Sequence, residues 1–193
     1  MKLIYKGEFD GNPESLPHNE HMPNATMFKE FTDMKKFAIV INVASGIILI
    51  IMIVIFSLVS GGDSLNFIGV FIAVISMVPH EILHAVCFKK EVYFYTNLRQ
   101  GMMFVYGKEH MSKAHFVIMS MMPNLVFGFI PFILFLINND WTLLGSMGAF
   151  AIGMGVGDYY NVFNAITQMP KGAKAYMYGM NTYWYMPQSS GKS

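Results

Sequence analysis

Between Phe37 and Ser60 the chain runs for 24 residues without a charged side chain, enough for one helix to cross a hydrocarbon core of about 30 Å. Three later stretches share this character. Leu65 to Phe88 carries Glu81 as its one acid, Phe116 to Ile137 is uncharged but holds Pro123 and Pro131, and Trp141 to Ile166 carries Asp158 alone. Membrane helices tolerate such prolines when neighbouring groups satisfy the carbonyls they leave free. The pattern predicts an all-α polytopic membrane protein, with four transmembrane helices in a membrane domain over 37–166. A cytoplasmic loop over 89–115 departs from it. There Glu91 to Tyr95 and Met102 to Tyr106 are β-prone runs flanking Thr96 to Gly101, which reads as a small hairpin between spans two and three. The N-terminal segment 1–36, rich in Gly and Pro, reads as loop after a short strand at Leu3 to Tyr5, and 167–193 as a C-terminal tail.

Composition narrows the class. Hydrophobic residues make up 54% and charged residues 13% of the 193, with mean hydropathy +0.42, where soluble domains carry about 25% charged residues. That excludes an ordinary soluble enzyme and a disordered chain, and the single cysteine, Cys87, excludes a disulfide scaffold. A net charge of +1 argues against a nucleic-acid partner. All 13 basic residues fall in 1–36, 89–113 and 171–192, and none in the short loops at Ser60 to Ser64 and Asn138 to Asp140. By the positive-inside rule both termini and the 89–115 loop are cytoplasmic in a multi-pass protein of the cell membrane. The sequon Asn24-Ala25-Thr26 is then on the wrong side for glycosylation.

The chemistry sits in the second stretch, which reads Pro79-His80-Glu81-Ile82-Leu83-His84. On a helix, positions i and i+4 share a face, so His80 and His84 can offer ring nitrogens to one zinc ion while Glu81 stands beside its open position as general base. Ionisable groups inside lipid are costly and usually face a functional interior. Catalytic zinc normally keeps three protein ligands, and depth nominates Asp158 as the third. His80 to His84 lie 15 to 19 residues from Leu65, and Asp158 lies 17 from Trp141 on a span of the same direction. Asp158 as a structural partner of Tyr159, Asn161 or Asn164 is the alternative. His110, His115 and Cys87 are rival ligands that read more simply as solvated or packed side chains, and His18 with His21 reads as a surface pair. Eighteen methionines suit adaptable packing or a promiscuous surface.

These residues carry a resemblance. HEILH inside an apolar helix, a β-prone cytoplasmic loop and a later acid-bearing span are similar to the site-2 protease family of intramembrane zinc metalloproteases. More narrowly, about 30–187 resembles small bacterial membrane proteins classed as putative zincin peptidases. The resemblance implies one zinc ion held by His80, His84 and Asp158, with Glu81 as base. The family's third ligand sits in a Leu-Asp-Gly pattern, whereas here the chain reads Gly157-Asp158-Tyr159; Pro123-Asn124 matches a Gly-Pro…Asn segment except that Met122 replaces the glycine. Asn124 is thereby a candidate oxyanion or substrate contact. The expected function is zinc-dependent hydrolysis of peptide bonds in a peptide or membrane-protein substrate, within the bilayer or at its face. A non-catalytic scaffold or assembly factor keeping a metal site, and a small metal or proton transporter, are the alternatives.

Overall fold

The computed structural model describes residues 1–98 and 101–188. Arg99 and Gln100 of the expected turn, and 189–193 of the expected tail, lie outside them. The chain opens with strand β1 (Lys2–Glu8), a 3-10 turn at Pro13–Ser15 and a short strand β2 (Thr26–Met27). Helix α1 (Met34–Val59) begins where the Asp33 carboxylate accepts the free N–H groups of Lys35 and Lys36. Asn66 caps α2 (Phe67–Ile75) in the same way, and α3 (Met77–Val86) continues beyond Ser76 after a bend of 42°. Strands β3 (Glu91–Asn97), β4 (Met102–Gly107) and β5 (Met111–Ser112) follow. Ser112 caps α4 (Lys113–Asn124), which runs through a π turn at Leu125–Phe129 into α5 (Ile130–Ile137). Gly155 divides α6 (Thr142–Met154) from α7 (Val156–Gln168), and β6 (Lys174–Tyr178) and β7 (Asn181–Tyr185) close the described chain.

The strands form two sheets where α1 and α4 begin and where α3 and α7 end. One has the order β1-β3-β4, with β1 parallel to β3 and β4 antiparallel to it; the other has the order β2-β7-β6-β5, antiparallel throughout. Phe9, Leu16, Tyr95 and Tyr106 form a buried cluster that also takes in Met177 and Met180, so the N-terminal segment bridges the two sheets. The described parts of the three basic segments thus meet in one layer.

The expectation of an all-α protein with four spans is corrected. The described residues contain two sheets, and only Lys35–Val59 and Lys113–Ile137 are single helices long and apolar enough to cross a membrane, with a third span if α2 and α3 count as one bent crossing. The fourth apolar stretch fails because Gly155 breaks it. Its first part, α6, has 13 residues and rises about 20 Å, short of a bilayer core. It is apolar for another reason: it packs against α1, α2 and α5 through the small buried residues Gly145, Ser146, Gly148 and Ala149. A Cβ added at Gly69 of α2 would lie 2.3 Å from the Leu143 carbonyl oxygen, which shows how closely these backbones approach. The second part, α7, carries Asp158, Asn161, Asn164 and Gln168 on a helix of mixed character. The expected hairpin is present as β3 and β4, and the strand expected at Leu3 to Tyr5 is present and longer. The C-terminal hairpin was not expected, although Tyr176 to Tyr178 and Thr182 to Tyr185 flank Gly179 in a strand-turn-strand pattern.

Glu30 ties the entry to α1 to that hairpin, its Oε1 accepting from the backbone N–H of Thr182 and from Asn181 Nδ2. Burial pushes its carboxyl up from an ordinary 4.5 to about 7. Between those values the folded chain binds a proton that the unfolded chain has released, so stability falls as pH rises through the window. Glu30→Gln keeps the Oε1 acceptor and abolishes the titration. Thermal unfolding midpoints in detergent, taken from about pH 5 to about pH 8, are expected to slope downward less steeply in Glu30→Gln than in the parent. Identical slopes would show that Glu30 does not titrate in this window.

Candidate metal centre

Helix α3 presents His80 and His84 one turn apart, with ring centroids 4.9 Å from each other. His80, Glu81 and His84 each offer a ligand atom, and these atoms lie within 4.8 Å of one another. Asp158, in the first turn of α7, faces both rings. Its Oδ2 is 2.9 Å from His80 Nε2 and its Oδ1 is 3.1 Å from His84 Nε2. After the break at Gly155, α7 starts at Val156, two residues before Asp158, and its first turn brings the carboxylate to His80 and His84 of α3.

The orientation of His84 follows from a proline. Pro123 lies inside α4 and has no N–H, so the carbonyl of Met119, four residues earlier, lacks its helical donor. His84 Nδ1 donates to that carbonyl at 2.8 Å. A carbonyl oxygen only accepts, so the bond fixes the proton on Nδ1, and in the neutral ring Nε2 carries the lone pair. That lone pair faces a carboxylate oxygen at 3.1 Å. Two acceptors at this separation require positive charge between them, a proton or a metal ion. Ligand atoms bonded tetrahedrally to zinc at about 2.0–2.1 Å stand about 3.3–3.4 Å apart, so the two separations between Asp158 and the histidines fall only a few tenths of an ångström short of those at a zinc ion. The donor set of two imidazoles and one carboxylate, each anchored by a further hydrogen bond or facing one another in a largely buried place, fits that ion.

Asp158 has its own support. Asn124, 1% exposed, donates from Nδ2 to Asp158 Oδ2 at 2.6 Å and approaches the Ser120 carbonyl at 3.4 Å. The amide proposed from sequence as an oxyanion or substrate contact therefore directs its hydrogens to the carboxylate and to its own helix. Space for it exists because residue 155 is glycine: a Cβ there would lie 1.7 Å from Asn124 Oδ1. Of the alternative partners Tyr159, Asn161 and Asn164, Tyr159 donates to the Ile152 carbonyl and Asn164 accepts from Gln168, and Asp158 is hydrogen-bonded to His80 and Asn124.

The rival ligands are placed elsewhere. His110 contacts the Tyr185 hydroxyl at 2.9 Å and stacks on Tyr176, and burial, with Lys174 nearby, lowers its pKa. His115 Nε2 is 2.9 Å from the Cys87 carbonyl, while the Cys87 thiol turns back to the Leu83 carbonyl. His21 meets the Tyr176 hydroxyl, and His18 is exposed. Sequence reasoning missed the Met119 carbonyl and Gly155. The first was legible, since a proline names the carbonyl it leaves free, four residues back; the second needed the tertiary contact.

The metal-candidate residues open into a cavity of about 1270 Å³, bounded by α3, α4 and α7, by Asn42 and Ser45 on α1, and by both sheets. Strand β4 is the edge of its sheet on this side. The backbone amide of Val105 interacts with the Glu81 carboxylate, so the edge reaches the site. The Phe88 ring, against which a Cβ at Gly107 would stand 2.1 Å away, seats β4 on the end of α3.

A family model described as putative zincin peptidase matches residues 72–174, more than half of the chain, and takes in His80, Glu81, His84, Asn124 and Asp158. No curated protein and no solved structure matches the chain.

Gly155 and Gly157 allow a direct test of the support around Asp158. An added methyl at Gly155 must displace the Asn124 amide, whereas one at Gly157 meets nothing within 4 Å. Gly155→Ala is expected to weaken zinc binding about 10–100-fold in chelator competition, as losses of outer-shell partners do, and Gly157→Ala to leave it within about threefold. Equal affinities in two folded variants would show that Asn124 does not hold the carboxylate in place.

Proposed function

The chain belongs to the putative zincin peptidase family, and from that premise we propose that it is a zinc-dependent peptidase working at the membrane, with His80, His84 and Asp158 as ligands and Glu81 as general base. The observation that carries the reading is the Asp158 carboxylate facing both histidine Nε2 atoms with Glu81 beside them. Zinc bound there would polarise the scissile carbonyl and lower the pKa of a water to about 7. Glu81 takes the proton that the attacking water releases and gives it to the departing amide nitrogen as the C–N bond breaks. Asn124 and the Met119 carbonyl keep the carboxylate and the His84 ring in place while this happens. Substrate is held as an extended strand against the free edge of β4, where Val105 already directs its backbone toward Glu81; a helical substrate would keep its carbonyls hidden in its own hydrogen bonds. His84 lies in the last turn of α3, so cleavage belongs near the end of that helix and toward the sheet layer.

The apolar outer face of α1, with Val43, Ile47, Ile50, Val54 and Leu58 exposed, suits lipid contact. The one-sided basic residues favour a cytoplasmic sheet layer.

Glu81→Gln is expected to bind zinc as the parent does and to lose about 10²–10⁴ in peptide turnover, because only proton transfer is removed; His84→Ala should lose zinc as well. Turnover by Glu81→Gln at the parent rate would sink the mechanism. For orientation, single cysteines at Ser64 and Asn139 should react with an impermeant thiol reagent added outside intact cells, in a background lacking Cys87, and one at Ser112 should not. Labelling of the Ser112 position from outside would invert the arrangement.

A further inference from the structure

The wall of the cavity has an unusual composition. In the whole chain isoleucines slightly outnumber methionines, 19 against 18. On the cavity wall eight methionines stand beside one isoleucine, one valine and no leucine. They come from separate elements: Met77 from α3, Met103 from β4, Met119 from α4, Met154 from α6 and Met177 from β6. No single helix pattern produces this. Met77 is one turn before Glu81, Met154 is four residues before Asp158, and the Met119 carbonyl receives the His84 proton, so methionines of the wall lie close in the chain to the reacting groups or to their support.

Branched aliphatic side chains have few rotamers and make walls of fixed shape, which discriminate between substrates by fit. Methionine is unbranched, with three rotatable bonds and a polarisable sulfur, and its wall can repack around side chains of different outline. The methionine side chains are apolar, so an unpaired charge brought against them is left poorly solvated, while Asp10, Glu30, Asp33, Lys35 and Glu109 supply polar groups elsewhere on the same lining. The volume, about 1270 Å³, exceeds the about 300–1,000 Å³ typical of small-molecule sites and suits a length of peptide. Resting on the peptidase reading above, we propose that the substrate is an apolar peptide segment of variable side-chain shape, selected by a repacking methionine wall and not by a rigid pocket for one residue.

Zinc-loaded, full-length Glu81→Gln protein in detergent allows selectivity to be read as binding, without turnover. Fluorescent peptides identical except at the central residue, which is Leu, Ile, Phe, Met, Lys or Asp, serve as probes. The four apolar peptides are expected to bind with dissociation constants within about tenfold of one another, and the Lys and Asp peptides more than about a hundredfold more weakly. A wider spread among the apolar four, equal binding of the charged peptides, or no binding of any would overturn the proposal. Adding Met103→Val and Met177→Ile should widen the apolar spread beyond tenfold at unchanged zinc content; an unchanged spread in that folded variant would also overturn it. Peptides that bind Glu81→Gln as expected but are not cleaved by the parent chain would defeat the hydrolytic reading and leave the preference of the cavity standing.

Discussion

The bond from His84 Nδ1 to the Met119 carbonyl is the contact on which the arrangement of the centre depends. A buried carbonyl left without a partner costs about 1–3 kcal/mol, and Pro123 creates one by lacking an N–H. The ring of His84 removes that cost and is fixed by doing so. Helix α3 is thereby tied to α4 at a defined rotation, and Nε2 is turned toward α7. The next residue after the proline, Asn124, reaches the other oxygen of the same carboxylate. Two consecutive positions of α4 thus set both sides of the His84–Asp158 contact, one by what it lacks and one by what it donates.

Gly155 is the counterpart of Pro123 on the opposite helix. It stands between α6 and α7 and leaves room for the Asn124 amide, and that room would be lost with a larger side chain. Neither residue touches the candidate metal position. Both act through backbone chemistry: a missing donor in one case and a missing Cβ in the other.

Much of the centre was legible because its signal is local. The i, i+4 spacing of His80 and His84 needs only a helix, and the strands β3 and β4 are continuous β-prone runs. Asp158 was reached by counting depth along two straight helices, and the structure does bring it to the histidines. Yet the helices are not straight: α2 and α3 bend by 42°, and Gly155 interrupts the fourth stretch. The count survived because the break precedes Asp158 by only three residues, whereas the number of spans did not survive it. Apolarity alone cannot tell a helix that faces lipid from one enclosed by other helices, and α6 is enclosed. The second sheet escaped notice for a different reason. Strands β2 and β5 are two residues each and have no periodicity of their own; they exist because β6 and β7 offer them edges.

The helices divide into two kinds of packing. Around α6 the contacts with α1, α2 and α5 are made by glycine, alanine and stacked phenylalanines such as Phe56 and Phe135, with little polar content. Between α4 and α7, beside apolar contacts of Phe116 and Ala165, Asn124 meets Asp158, and Ser120 Oγ, Asn124 Oδ1 and Asn164 Nδ2 on these helices are buried without a hydrogen-bond partner among the described residues. A polar seam that is only partly satisfied contributes less to stability than an apolar one of the same area. The apolar cluster of Phe28, Ala85, Phe88, Phe116 and Ala165 stabilises the side on which this polar seam lies, so the seam itself need not supply that stability. Helix α3, bent away from α2 and fastened to α4 by His84, is the element on which the two halves meet, and it is the one that carries the histidines.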